Sequence, residues 1–220
     1  MPSNPGHNAT STPAVDAVIF DLGGVLFDWS PYHLYRKLLP TDAEIEAFLN
    51  EVRLYEALLD LDLGMPFPEW TDRLAKRHPE RTEHIEAYRH RWQETVAGVF
   101  DETIEVIDAI HAAGIPLYVI SNWAADLWQA TRESMELPFL ERFTGIVISG
   151  EVGLVKPHAD IFNLTCQRYG LTPKRSAFID DNATNVAAAS GLGFQAIQFH
   201  GSEGADALKS RLSGLGLKLD

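Results

Sequence analysis

The chain has 220 residues, 45% of them hydrophobic and 22% charged, which is typical of a globular protein and excludes a disordered or fibrous one. The 31 acidic and 18 basic residues give a formal net charge of −13, which disfavours nucleic acid and anionic membrane surfaces as partners. At this length we expect one substantial core, with room for a modest inserted domain.

The chain starts with two contrasting segments. Residues 1–13 are rich in Pro, Ser, Thr and Asn and lack the basic start and apolar run of a signal peptide, so we expect a flexible tail. Ala14–Phe20 is an apolar run rich in Val and Ile that ends at Asp21. This pattern predicts a buried strand that leads into a turn.

A helical pattern follows the first strand. Four segments carry apolar residues at helical spacing and are interrupted by Gly64, Pro66, Pro68 and Pro79. We therefore expect residues 29–99 to form an inserted helical domain that contributes no strand to the sheet. The segments are Ile45–Leu49, Leu54–Leu59, Trp70–Lys76 and Ile85–Val96.

Helices and short apolar strands alternate in residues 100–220. Together with residues 14–28, they predict a Rossmann-like α/β core, which is a doubly wound parallel sheet covered by helices on both faces. The predicted helices are Asp101–Ala113, Asp160–Tyr169 and Asn182–Ser190. The predicted strands are Pro116–Ile120, Ile146–Ile148, Ser176–Ile179 and Phe194–Phe199.

Polar residues follow four of the predicted strands. In a parallel sheet the carboxyl ends of the strands meet at one edge, where ligands bind. The sequence therefore predicts a single site at that edge. Its candidate residues are Asp21, Ser121, Asn122, Lys156, Asp180, Asp181 and Asn185.

This set of side chains suits phosphoryl transfer through a covalent aspartyl intermediate. A carboxylate such as Asp21 attacks phosphorus only when the phosphate charge is neutralised, and a hard dication held by Asp180 and Asp181 would do this. Lys156 offers a positive charge to both the nucleophile and the phosphate. Donors for the phosphate oxygens are available at Ser121 and Asn122.

Four motifs resemble those of the haloacid dehalogenase superfamily in order and spacing. They are FDLGGVL (Phe20–Leu26), ISN (Ile120–Asn122), GLVKP (Gly153–Pro157) and FIDDNATN (Phe178–Asn185), and the resemblance covers residues 15–200. The helical insert resembles the small cap of this superfamily, which closes over the site and selects the substrate. Within the superfamily, the chain is most similar to phosphatases that act on glucose-1-phosphate, and it also resembles the phosphatase domain of mammalian soluble epoxide hydrolase.

The resemblance implies a role for each candidate residue. Asp21 would be the nucleophile and Lys156 the charge-balancing cation. The substrate would be a small phosphorylated metabolite, with a sugar phosphate favoured. Magnesium would be held by Asp21, the backbone carbonyl of Gly23, Asp181 and, through water, Asp180. Phosphate would be bound by Ser121, Asn122, Lys156, Asn185 and Gly24.

The chain departs from the superfamily pattern at one position. Most phosphatases of this type carry a second Asp two residues after the nucleophile, where it protonates the leaving group and later activates water. Here that position is Gly23. A metal-ordered water and a cap residue such as His33 are the substitutes that we consider.

Two other functions stay open because of Gly23. Metal-independent 2-haloacid dehalogenases also lack an Asp at this position, but they usually have a Ser-and-Asn pattern where this chain has Asp180-Asp181, so the acidic pair favours a phosphatase. The other alternative is a catalytically impaired binding protein on the same scaffold. The intact nucleophile, lysine and acidic pair make it the least favoured.

Several residues have ordinary structural explanations. Ser121-Asn122 is also common helix-capping chemistry, and Asp180-Asp181 also suits a helix N-terminus. Cys166 is the only cysteine, which excludes an intrachain disulfide, favours a cytoplasmic location and fits packing inside a helix.

The cap supplies the remaining candidates for substrate recognition. Trp29 and Trp123 lie close to motif residues and are candidates to line the pocket. The sequence does not rank the cap arginines and does not specify an oligomeric state. Those arginines are Arg36, Arg53, Arg73, Arg89 and Arg91.

Overall fold

The computed structural model describes residues 15–217 and residue 219. The tail predicted for residues 1–13 lies outside the described residues. Within them the strands are β1 Ala17–Phe20, β2 Phe27–Trp29, β3 Val96–Val99, β4 Leu117–Ser121, β5 Phe143–Ile148, β6 Ser176–Asp180 and β7 Gln195–Gln198.

The helices fall into two groups. Those between β2 and β3 are α1 Pro31–Tyr35, α2 Asp42–Glu51, α3 Leu54–Asp62, α4 Phe67–Arg77 and α5 Thr82–Arg91. Those after β3 are α6 Asp101–Ala112, α7 Ala125–Ser134, α8 Ser149–Val152, α9 Ala159–Tyr169, α10 Ala183–Gly191 and α11 Ala205–Gly214. None of the helices in the described ranges has the length and apolar character needed to cross a bilayer.

Five strands form one parallel sheet in the order β5-β4-β1-β6-β7. The central strand β1 pairs with β4 on one side and β6 on the other, so that Phe20 lies opposite Val119 and Ile179. This register brings the carboxyl ends of the three strands to the same edge. The predicted α/β class with a doubly wound parallel sheet is confirmed.

Both faces of the sheet are covered because successive side chains of a strand point in opposite directions. On β1, Val18 and Phe20 belong to the larger hydrophobic cluster, which includes residues of α6 and α11. Ala17 and Ile19 belong to a second cluster with residues of α9 and α10. The two clusters explain why β1 is a continuous apolar run with no polar residue in it.

Helices α1–α5 lie between two short strands that pair with each other. β2 and β3 are antiparallel, with Phe27 opposite Val99 and Trp29 opposite Val96. The prediction that the helical segment Ile85–Val96 extends to its last residue is wrong, since α5 ends at Arg91 and Val96 begins β3. Helical periodicity does not reveal a strand whose partner lies about 70 residues earlier in the chain.

Candidate active site

A buried ion cluster occupies the carboxyl edge of the sheet. Asp21 directly follows β1, Asp180 ends β6, and Lys156 lies in the loop after α8. The Lys156 Nζ atom lies 2.9 Å from Asp21 Oδ1 and 2.7 Å from Asp180 Oδ2. Lys156 is only 2% exposed, Asp180 0% and Asp21 7%. Charges buried to this degree are costly unless they are paired, so one lysine between two carboxylates stabilises the cluster.

Asn122 holds the loop that carries Lys156. Its Nδ2 atom donates to the carbonyl oxygen of Lys156 at 2.9 Å, and its Oδ1 accepts from the backbone N–H of Lys156 at 2.8 Å. The preceding residue, Ser121, ends β4 and is buried beside Asp21. The structure therefore brings Ser121 and Asn122, two of the predicted phosphate binders, to the site, and it gives Asn122 a second role in positioning Lys156.

Asp180 is fixed by donors from the start of α10. Asn185 Nδ2 lies 3.1 Å from each of its carboxylate oxygens, and the backbone N–H of Asn182 donates to Oδ1 at 2.8 Å. With Lys156 on Oδ2, both oxygens of Asp180 already have protein partners. Asn185 thus orients Asp180, a role that differs from the phosphate binding implied by the resemblance.

Three carboxylates form a group whose geometry suits a cation. Asp21, Asp180 and Asp181 each offer an oxygen atom, and these atoms all lie within 4.8 Å of one another. Gly24 adopts a φ of +72°, and a Cβ at this position would lie 2.5 Å from Asp181 Oδ2. Only glycine lets the backbone approach Asp181 so closely. Oxygen ligands of this kind fit magnesium, and a single lysine compensates only part of the negative charge that three carboxylates can carry.

The electrostatics of the cluster follow from burial. Burial, helped by the charge of Asp180, raises the pKa of Asp21 to about 7, although Lys156 and Ser121 act in the opposite direction. Burial lowers the pKa of Lys156, but the charges of Asp21 and Asp180 outweigh this effect, and the net shift is upward. The lysine therefore stays protonated. Burial and the charge of Asp180 also raise the pKa of Asp181.

A cavity of about 320 Å³ opens beside this cluster, between the helical insert and the sheet edge. Its lining from the sheet side is Gly23, Asn122, Trp123, Ala124, Leu127 and Asn182. Its lining from the insert is Trp29, Tyr55, Leu58, Leu61, Asp62, Tyr88 and Trp92. Trp29 and Trp123, both candidates from the sequence, therefore do face this space.

None of the cap arginines considered from the sequence lines the cavity. Each pairs instead with a carboxylate at the surface, because long charged side chains keep their head groups in water. The pairs are Arg36–Asp42, Arg53–Glu56, Arg73–Glu69, Arg89–Asp72 and Arg91–Glu94. His33 is likewise absent from the lining, and its Nε2 atom lies 2.9 Å from Asp28 Oδ1.

Asp62, the last residue of α3, was not among the candidates predicted from the sequence. Asp62 lies on the same side of the helix as Tyr55 and Leu58, which are seven and four residues earlier, and all three line the cavity. A lone carboxyl on the apolar stripe of an amphipathic helix was the available signal. Gly23 faces the same cavity, and a Cβ there would meet no atom within 4 Å.

Comparison with known proteins places these features in a family. The family model for haloacid dehalogenase-like hydrolases matches residues 15–193. The phosphoglycolate phosphatase of Salmonella paratyphi A is 25% identical over 202 residues, which are 81% of this chain and 79% of that protein. The phosphorylated carbohydrates phosphatase of Thermotoga maritima is 25% identical over 203 residues, covering 83% and 84% respectively.

Relatives with another chemistry also match, over a shorter length. The (S)-2-haloacid dehalogenase of Pseudomonas putida is 26% identical over 106 residues, which are 48% of this chain and 46% of that protein.

Solved structures agree with the fold. A HAD family enzyme from Bacteroides thetaiotaomicron superposes with a TM-score of 0.71 at 19% identity, covering 89% of this chain and 98% of that one. Its complex with magnesium and inorganic phosphate superposes with a TM-score of 0.66 at 19% identity, covering 88% and 98%. At this identity, the likeness establishes the fold alone. Because the family model spans most of the chain and the fold agrees with it, the chain belongs to the haloacid dehalogenase-like hydrolases.

Proposed function

We propose that the chain is a magnesium-dependent phosphatase that hydrolyses a small phosphorylated metabolite through an aspartyl-phosphate intermediate on Asp21. The observation that carries this proposal is the buried Lys156 between Asp21 and Asp180, next to a third carboxylate at Asp181. A nucleophilic carboxylate, a fixed positive charge and an oxygen-ligand site for a dication are what attack on a phosphate dianion requires.

The residues of the cluster have distinct parts in the proposed reaction. Asp21 attacks phosphorus through a carboxylate oxygen, the bond from phosphorus to the leaving oxygen breaks, and water then hydrolyses the acyl phosphate to release inorganic phosphate. Lys156 and the Ser121 hydroxyl bind the phosphate oxygens, and Asn122 keeps Lys156 in place. Asp21, Asp181 and the Gly23 carbonyl would hold magnesium, with Asp180 acting through water, and the bound ion would supply the positive charge that neutralises the phosphate.

The cavity favours an uncharged leaving group. Apart from Asp62, its described lining is apolar, aromatic or neutral, and it contains no Lys or Arg. Aromatic faces suit a sugar ring, whereas a second anionic group would find no cation there. A sugar phosphate therefore fits better than phosphoglycolate, whose carboxylate would face Asp62. The name of the Thermotoga maritima relative is in line with a sugar phosphate.

We also propose that residues 29–99 act as a cap over a core of residues 14–28 and 100–220. Two contacts join these parts. The backbone N–H of Phe67 donates to Asp126 Oδ2 at 2.8 Å. A Cβ at Gly64 would lie 3.0 Å from the carbonyl oxygen of Gly150, so the end of α3 approaches α8 closely.

A metal-independent dehalogenase is the second candidate, because Gly23 leaves the usual acid–base position empty and a dehalogenase matches part of the chain. The grouping of Asp180 and Asp181 with Asp21 weighs against it, since a reaction without a metal needs the nucleophile but no further carboxylates as metal ligands. An impaired binding protein is disfavoured by the intact Asp21–Lys156–Asp180 cluster.

The test is phosphate release from a panel of sugar phosphates and other phosphomonoesters, with magnesium and with EDTA. We expect turnover that needs magnesium and is lost in Asp21→Asn. The matched control is Asp108→Asn, which removes an exposed carboxylate paired with Arg142 and should retain full activity. Activity that survives both EDTA and Asp21→Asn would overturn the proposal, as would halide release from a 2-haloacid without metal.

A further inference from the structure

Asp62 is the one carboxyl among the described residues that line the cavity. It ends α3 and faces the same space as Gly23 and Asn122. Its side chain forms no hydrogen bond or ion pair with any described residue, in contrast to Asp21 and Asp180, which are both paired with Lys156. A half-buried carboxyl without a protein partner is available to a bound molecule.

The surroundings of Asp62 favour its protonated form. Burial raises the pKa of its carboxyl to about 7, although the charge of Lys156 acts in the opposite direction. The titratable groups that share the cavity are the phenols of Tyr55 and Tyr88, and burial raises the pKa of both. Around neutral pH, Asp62 therefore exists in both protonation states, as an acid–base catalyst requires.

We propose that Asp62 is the general acid that protonates the leaving group, in place of the carboxyl that Gly23 lacks. This inference rests on the proposed phosphatase function. It assigns the missing step to the cap helix α3, and it uses the one acidic side chain that the fold places in the described lining of the cavity next to the reacting groups.

The proposed steps balance in atoms and charge. As Asp21 attacks, the bond between phosphorus and the leaving oxygen breaks, and the carboxyl proton of Asp62 moves to that oxygen, which leaves as an alcohol. The Asp62 carboxylate then takes a proton from the water that attacks the phosphorus of the acyl phosphate. The bond between phosphorus and Asp21 breaks, inorganic phosphate leaves, and Asp62 is protonated again.

The cavity also explains how a residue of the insert reaches the chemistry. Two residues after Asp62, Gly64 lies close to α8, where a Cβ at Gly64 would lie 3.0 Å from the carbonyl oxygen of Gly150. With no side chain at Gly23, the space that an acid at that position would occupy stays open to a leaving group and to Asp62. In the proposed reaction, Asp62 donates its proton from the part of the cavity lining that belongs to the insert.

The experiment compares Asp62→Asn with the wild-type chain on two substrates, in the presence of magnesium. One is a sugar phosphate, whose leaving alcohol needs a proton, and the other is 4-nitrophenyl phosphate, whose leaving phenolate does not. We expect kcat/KM for the sugar phosphate to fall about 10²–10⁴-fold, which is the usual contribution of a general acid, and kcat/KM for the aryl phosphate to fall less than about tenfold. Asp60→Asn, an exposed change on the same helix, should leave both values unchanged.

The possible outcomes separate the two proposals. Equal losses on both substrates, or no loss on either, would overturn the role of Asp62 while leaving the phosphatase function intact. A wild-type chain that turns over neither substrate would overturn the phosphatase function itself. Asp62→Leu is a second variant in case Asp62→Asn unfolds, because leucine extends the apolar lining around Leu58 and Leu61. It must show the same selective loss of kcat/KM for the sugar phosphate.

Discussion

Lys156 lies between two carboxylates, and this arrangement has consequences for both stability and chemistry. Its Nζ atom contacts Asp21 and Asp180, and the Asn122 amide holds its backbone. A buried lysine is strongly destabilising unless a carboxylate pairs with it. Because the lysine compensates only part of the carboxylate charge, the same site attracts a dication.

Replacing the lysine tests its importance for stability. Lys156→Met leaves Asp21 and Asp180 buried without a counterion, so we expect the free energy of unfolding at neutral pH to fall by about 3–5 kcal/mol. Urea unfolding measures this loss. Lys76→Met, at an exposed position of α4, should change it by less than about 0.5 kcal/mol. Equal stability of the two variants would contradict the description of the cluster.

Gly24 allows a second test at a single residue. Gly24→Ala places a Cβ against Asp181 Oδ2, whereas Gly170→Ala, at a nearly identical φ of +68°, meets no atom within 4 Å. Both changes strain the backbone by roughly 1 kcal/mol, but only the first displaces Asp181. We expect magnesium affinity, measured by titration calorimetry, to fall at least about tenfold in Gly24→Ala alone. The same affinity in both variants would show that Asp181 is not a ligand.

Individual residues differed in how well the sequence predicted them. Asp21 and Asp180 were predictable because they lie at the carboxyl ends of β1 and β6, which are neighbours in one parallel sheet. Lys156 was predictable because it lies in the connection that leaves the carboxyl end of β5 in the same sheet, after the short helix α8. Asp62 was not predictable, because its importance depends on where α3 lies above the sheet edge. Helical periodicity within the insert does not give the position of a helix relative to the sheet.

At the scale of elements, the parallel sheet was easier to predict than the insert. Continuous apolar runs marked β1, β4 and β6 because these strands are buried on both faces. The strands β2 and β3 were not predicted, since each is short and only partly buried. They also pair with each other across a long insertion, so neither has its partner nearby in the sequence. The helices α7 and α11 were missed as well. The sequence therefore predicted the framework of the site but only part of its cavity walls, since Trp29 and Trp123 were among the candidates and Asp62 was not.

The cavity walls predict substrate preference. Because the described lining has no Lys or Arg, we expect kcat/KM for a sugar phosphate to exceed that for phosphoglycolate by at least about tenfold. Leu58→Arg introduces a cation into the α3 wall and should narrow this ratio by improving phosphoglycolate turnover. Leu59→Arg, at an exposed position outside the cavity, is the matched control. A wild-type preference for phosphoglycolate would contradict the assigned cavity.

At the scale of the whole molecule, the site links metal binding to stability and pH. The pKa of Asp21 is raised from 3.8 to about 7, so between these values the native chain holds a proton that the unfolded chain has lost. The contribution of this group to stability therefore falls as the pH rises through that window. The pKa of Glu94 is lowered to about 2 by Arg91 and Lys37. Its contribution to stability therefore changes only at more acidic pH and does not mask the contribution of Asp21.

Thermal unfolding tests this linkage. Without magnesium, Tm should be lower at about pH 8 than at about pH 5.5. Magnesium binds the deprotonated carboxylates, so it should raise Tm more at the higher pH, by an amount that grows with its concentration. In Asp21→Asn both effects should shrink. A magnesium-induced rise in Tm that is the same at both pH values would show that the acidic cluster does not hold the metal.

The most direct test of the central claim is to trap the covalent intermediate. Wild-type protein with magnesium and a substrate on which it turns over is quenched in acid within a single turnover, digested and analysed by mass spectrometry. We predict one phosphoryl group on the peptide that contains Asp21, and none in Asp21→Asn or in the EDTA control. Rapid phosphate release with an unmodified Asp21, or a phosphoryl group on another residue, would contradict the account.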